Sequence, residues 1–160
     1  MSFPARKRPR SAPGESIEMG LLPTLLGYHL RIAHVAVFQN FGRTVGAAEI
    51  TAPQLGALFL VESNPGISQS AVAEALRFDR STLVQIVDRL EERGLLKRES
   101  STRDRRSHAL VLTQAGARLL VRLKELLRTH EAEIAAALSP AERATLIALL
   151  EKLHTPARDG

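Results

Sequence analysis

The residues best suited to chemistry lie between Asp79 and Arg106. Asp79 is followed by Arg80, Ser81, Thr82, Gln85, Asp88 and Arg89 on one side of a helical period, and by Leu83, Ile86, Val87 and Leu90 on the other. Hydroxyl and amide side chains near a helix N-terminus can reach base edges in a DNA major groove. Gln pairs with adenine in bidentate fashion, and Ser or Thr serve either base type. Arg80 and Arg89 can neutralise phosphates, and the helix N-terminus adds positive potential. The plain alternative is a solvated helix face. A second cluster weakens it: Lys97, Arg98, Arg103, Arg105 and Arg106 crowd a short polar stretch that holds only Glu99 and Asp104 in opposition. Such a concentration adds little to stability, yet it lets Arg enter a narrow minor groove. Asp104 can orient a neighbouring guanidinium through a charge-assisted pair.

The elements that must position these residues announce themselves. Ser68 can cap one helix, with Ile67 and Val72 spaced for a hydrophobic staple. Asp79 can cap the next, with Phe78 and Leu83 spaced alike. Only Leu76 to Asp79 separates the two, a tight helix-turn-helix connection. Gly94 ends the second helix. Leu95 to Ser100 and His108 to Leu112 then read as two strands around a polar hairpin, 101–107, so a wing follows the helix-turn-helix.

Helices flank this lobe. Leu22, Leu26, Leu30, Ala33, Val37 and Phe41 stripe a helix from about Leu22 to Val45, and Leu25, Ile32, Val35 and Phe38 lie off that stripe. A helix apolar on several faces suits a dimer interface. Thr51 and Gln54 form a capping box for a helix ending near Asn64-Pro65-Gly66. Thr113 can cap a long helix reaching toward Leu138, and Ser139-Pro140-Ala141-Glu142 starts a last one.

The sequence resembles the MarR (multiple antibiotic resistance) regulators. The resemblance covers roughly Leu22 to Leu153. It is most specific at Asp79-Arg80-Ser81-Thr82, Val87-Asp88-Arg89-Leu90 and Gly94-Leu95, then at Asp104-Arg105-Arg106, Leu112-Thr113 and Gly116. It implies a mainly α fold with a small β-hairpin wing: a winged helix-turn-helix with a helical dimerisation region. It also implies a homodimer on double-stranded DNA, its two reading helices about one helical turn apart on a pseudo-palindrome. By motif position Arg106, braced by Asp104, is the minor-groove arginine. The expected DNA contacts are Arg80, Ser81, Thr82, Gln85, Arg89, Arg103, Asp104, Arg105 and Arg106. The expected division is a basic, disordered arm over 1–20, a dimerisation helix over 21–50, the DNA-binding lobe over 51–113 and C-terminal dimerisation helices over 114–155.

Most such proteins are repressors released by a small molecule. Candidate pocket residues are Tyr28, His29, Arg31, His34, Phe38 and Phe59, where His and Arg beside aromatic rings can hold an aromatic carboxylate or an aromatic acyl-CoA. The competing reading makes them packing or surface residues. The first-helix stretch is similar to members that sense aromatic acids or their coenzyme A thioesters.

Composition narrows the remaining classes. The chain has 160 residues, 44% apolar, 4% aromatic, with net charge +5 and no Cys. One domain with an aliphatic core is expected. Lack of Cys removes disulfides, thiolate nucleophiles and thiol sensing, and agrees with a reducing cytoplasm. His29 and His34 stand five apart, poorly placed to share a metal. No phosphate loop, nucleophile elbow or paired-His motif is seen, so no catalytic residue, metal or cofactor is expected. No run approaches membrane-spanning length, and the basic N-terminus lacks the apolar stretch of a secretory signal. Arg6, Lys7, Arg8 and Arg10 there are either a solvated leader, an arm for phosphates or a tether to a membrane surface. The alternative to DNA binding is a winged-helix module for protein interaction.

Overall fold

The computed structural model describes residues 17–100 and 108–154. They fall into two units, Met1–Val35 and Ala36–Gly160. Of the basic arm expected over 1–20, residues 1–16 lie outside the described residues.

In the first unit a short 3-10 turn, Leu22–Thr24, precedes α1 (Leu26–Thr44), whose N-terminal part belongs to this unit. The helix therefore starts four residues later than its apolar stripe suggests. Pro23 suits the 3-10 turn, and Leu25 is extended with φ −92° and ψ 123°, which breaks the helical run. Thr24 Oγ1 donates to Leu21 O at 2.8 Å, and His29 Nε2 donates to Pro23 O at 2.8 Å. Leu21, Leu22, Leu25, Leu26, Leu30 and Ile32 are all exposed.

The second unit holds the core. α2 (Ala52–Ser63) starts at the expected capping box: Thr51 N donates to Gln54 Oε1 at 3.0 Å, and Gln54 N to Thr51 Oγ1. β1 (Ile67–Ser68) leads directly into α3 (Gln69–Leu76), and α4 (Arg80–Glu92) follows after three residues. β2 (Leu96–Ser100) and β3 (His108–Leu112) form the antiparallel wing, in register from Leu96↔Leu112 to Ser100↔His108. The sheet order is β1-β3-β2. β1 is an addition to the expected hairpin, pairing Ile67 with Leu110 and Ser68 with Ala109.

α5 (Gln114–Ile134) and α6 (Pro140–His154) complete the chain's described part. α5 stops short of Leu138. Leu138 N instead closes a turn on Ala135 O at 2.9 Å, and Ser139 caps α6 with Glu142. Every described side chain of α6 is exposed, Leu149 and Leu153 by more than half.

Leu58, Leu83, Leu90, Leu96, Leu110, Leu120 and Leu123 are the fully buried leucines, so α2, α4, α5 and the wing strands share one core. Each contributes about 1.5–3 kcal/mol through burial. α4 is thereby fixed by its apolar face, which leaves its polar face outward.

Candidate nucleic-acid interface

The start of α4 is set by two local devices. α3 ends in a Schellman turn: Arg77 N donates to Glu74 O and Phe78 N to Ala73 O, with Arg77 in the left-handed region at φ 54°. Asp79 is then extended and caps α4. Its carboxylate accepts from Ser81 Oγ at 2.5 Å, Thr82 Oγ1 at 2.5 Å and Thr82 N at 2.8 Å. The Ser81 hydroxyl, then the Thr82 hydroxyl and backbone N–H, hold the Asp79 carboxyl well below the usual carboxylate range.

A folded-state pKa below the unfolded one gives stability that is present above the unfolded value and lost as pH falls through the folded one. The stability difference between wild type and Asp79→Ala is therefore expected to stay level from pH 7 to about 5 and to shrink only below about 4. Urea unfolding across that range checks it; a difference that shrinks between pH 7 and 6 would point to another group.

Leu83, Ile86, Val87 and Leu90 are buried, as their spacing predicts. Arg80, Ser81, Gln85 and Arg89 are exposed and Thr82 is half-buried. The structure thus gathers five of the nine expected DNA contacts along one helix. The other four, Arg103, Asp104, Arg105 and Arg106, lie outside the described residues. Asp88 is not an idle member of the polar face: it pairs with Arg98 of β2. Lys97 pairs with Glu99 at 2.6 Å. Arg93, at the end of α4, donates to the carbonyls of Ala48 and Glu49 and ties α4 to the turn before α2.

The expected pocket residues are divided between the units. In the first, Tyr28 and His29 meet edge to face at 5.4 Å, and Arg31 and His34 are exposed. In the second, Phe38 is 51% exposed and Phe59 packs against the core. The second unit also has a cavity of about 540 Å³ between α5 and α6, lined among others by Lys124, Leu127 and Arg143, and none of the six lines it.

Sequence reasoning missed a buried polar network. His130 Nδ1 donates to Asn40 Oδ1 at 2.6 Å, and Asn40 Nδ2 donates to Glu133 Oε2 at 2.7 Å. Arg43 reaches the same carboxylate at 2.9 Å. The Arg43 and Asn40 hydrogen bonds lower the Glu133 pKa. The available signal was spacing: His130 continues the stripe of Leu120, Leu123 and Leu127. Among the described residues no three His, Asp or Glu gather to hold a metal, and no helix is long and apolar enough to cross a membrane.

The model of the MarR family matches residues 48–107, the stretch from the turn before α2 to the residue before β3. A Thauera aromatica protein described as a putative transcriptional regulatory protein for the hcr operon is 39% identical over 150 residues, 93% of this chain and 90% of its own length. The chain belongs to the MarR family. Its MarR fold is also that of the transcriptional repressor CouR. CouR bound to a 23-mer DNA duplex superposes with TM-score 0.84 at 37% identity, over 88% of this chain and 100% of that one. CouR bound to p-coumaroyl-CoA gives TM-score 0.80 at 35% identity, over 91% and 100%. MarR proteins are transcription regulators, and the winged helix-turn-helix expected from the residues is the fold observed.

On α4, Gln85 is the most informative side chain to remove. Gln85→Ala is expected to relax base preference at one position per half-site, by about 1–3 kcal/mol for a bidentate contact. Binding-site selection reads this directly. A consensus unchanged from wild type would exclude Gln85 as a reader.

Proposed function

We propose that this chain is a homodimeric, ligand-responsive repressor that binds a pseudo-palindromic operator and is released by a small aromatic acid or its coenzyme A thioester. The observation that carries the reading is α4. Its apolar face is buried while Arg80, Ser81, Gln85 and Arg89 stand exposed around a capped N-terminus. That is the geometry a recognition helix needs in a major groove. By motif position Arg106, with Asp104 beside it in sequence, is assigned to the flanking minor groove, and Arg103 and Arg105 to further DNA contacts. The basic arm over 1–20 adds further charge along the duplex.

Two apolar surfaces support the dimer. Leu22, Leu25, Leu26, Leu30 and Ile32 are exposed in the first unit, and Leu146, Ile147, Leu149, Leu150 and Leu153 on α6. Exposed large apolar side chains gathered on these two segments support an interaction surface. The proposed division assigns residues 21–50 and 114–155 to the dimerisation region and 51–113 to the reading lobe. The effector class rests on the CouR complex with p-coumaroyl-CoA and on Tyr28, His29, Arg31, His34, Phe38 and Phe59, whose rings and Arg31 guanidinium suit an aromatic anion.

Fluorescence polarisation tests the reading: purified protein, duplex from its own upstream intergenic region, a salt series, and a panel of aromatic acids with their coenzyme A thioesters. Tight, salt-sensitive binding released by one compound is the expected result. Binding that no compound releases would remove the effector class. No binding above random duplex, there and in genome-wide selection, would favour a protein-interaction module instead.

A further inference from the structure

We infer that Arg98 is a positioning residue: it locks the recognition helix to the wing and to α3, and so sets operator discrimination without itself binding phosphate. This rests on the DNA-binding reading above. Arg98 lies on β2, where the sequence suggests one more outward cation of a basic wing. Its side chain is instead only 19% exposed. Nη2 donates to Asp88 and Nη1 to Glu91, both on α4, and Nε donates to Gln69 Oε1 at 3.3 Å at the first position of α3. The backbone N–H of Arg98 also donates to Glu91 Oε1 at 3.0 Å. One planar fork therefore ties its own strand, β2, to two helices, α4 and α3, and the strand is held to α4 twice through Glu91.

The electrostatics argue against a phosphate site. Two carboxylates face one guanidinium, so the cluster carries a net negative charge and repels a DNA backbone. Asp88 and Glu91 stand one helical turn apart on α4, the spacing that presents two acceptors to a single fork. Gln69 supports the same role: its Oε1 faces Arg98, while its Nε2 is buried without a partner among the described residues. An orphaned buried donor is costly, so the amide orientation is dictated by Arg98. A brace of this kind fixes the angle at which α4 and the wing strand approach the same duplex. Loosening it lets each engage DNA separately, which preserves charge-driven binding and erodes discrimination.

The experiment measures polarisation of two duplexes, one selected from random sequence by the wild-type protein and one unselected, across a salt series. The variants are Arg98→Ala, Asp88→Ala and the double variant, each checked by thermal melting. The expected result is a fall of about tenfold in the selected-to-unselected affinity ratio for each single variant, the double being no worse than Arg98→Ala. The salt slope should stay as in wild type. A phosphate-binding Arg98 predicts the opposite pattern: a slope reduced by about 0.9 per lost contact, and tighter binding of both duplexes by Asp88→Ala. Either of those results, or an unchanged ratio, overturns the inference. Should Arg98→Ala fail to fold, Arg98→Lys keeps the charge but loses the fork and carries the same expectation. A wild type with no salt-dependent duplex affinity would overturn the DNA-binding reading itself, and the brace's role with it.

Discussion

Gly116→Ala is expected to destabilise the protein by about 3 kcal/mol or more, at the upper end for overpacking. Gly116 sits in the first turn of α5, where that turn crosses the chain between α4 and β2. A Cβ there would stand 1.9 Å from Leu95 O and 2.9 Å from Leu95 C, both backbone atoms. Neither can rotate away as a side chain does. The junction is also tied in place. Thr113 Oγ1 donates to Gly94 O at 2.6 Å and accepts from Gly116 N at 3.0 Å, and Thr113 N donates to Leu95 O at 3.1 Å. Relief would mean lifting α5 from the end of α4, which would strip Leu120 and Leu123 from the core. Urea unfolding measures the cost. A loss below about 1 kcal/mol would mean that α5 slides clear of Leu95 without penalty.

The second large effect is expected at Asn40. Asn40→Ala should cost about 2–3 kcal/mol, because His130 Nδ1 then loses its acceptor inside the protein. Asn40 is 8% exposed and His130 4%, so water cannot readily replace the amide. Phe41, edge to face with His130 at 5.6 Å, closes the same site. Glu133→Gln is the matched control. It retains an oxygen for Asn40 Nδ2 and loses chiefly an exposed pair with Arg43, of a kind that contributes little. Equal losses in the two variants, measured by thermal and urea unfolding, would place the cost in the surface carboxylate and not in the buried amide.

What could be read in the residues, and what could not, divides by distance along the chain. The caps at Thr51, Ser68, Asp79, Thr113 and Ser139 are all observed, because each involves residues within three positions of one another. Gly94 takes the left-handed conformation, φ 64°, that its place after a helix requires. The apolar stripe of α4 is buried where its period puts it. β1 escaped notice because two residues cannot display an alternation. The sequence groups Arg98 with the cations of the wing because its partners Glu91, Asp88 and Gln69 lie 7, 10 and 29 positions away. The Asn40–His130 pair spans 90 positions. Only the fold brings such groups together, so composition shows neither the partners of Arg98 nor the place of His130. The helix ends were overrun for a related reason: an apolar stripe continues through Leu22 and Leu138, whereas Pro23 and the Ser139-Pro140 cap decide where the backbone turns.

The Asp79 cap has a further consequence, one of polarity. An ionised carboxylate only accepts, so the hydrogens of the Ser81 and Thr82 hydroxyls both point toward it. What these two side chains turn outward is lone pairs. The tip of α4 is therefore an electron-rich lip on a helix end that is otherwise a source of donors. A base edge suits that lip where it offers an exocyclic amine, N6 of adenine or N4 of cytosine, and suits it poorly where guanine turns O6 and N7 toward it. A single aspartate in this way turns two hydroxyls, each able to donate or accept, into acceptors toward whatever approaches the tip of α4.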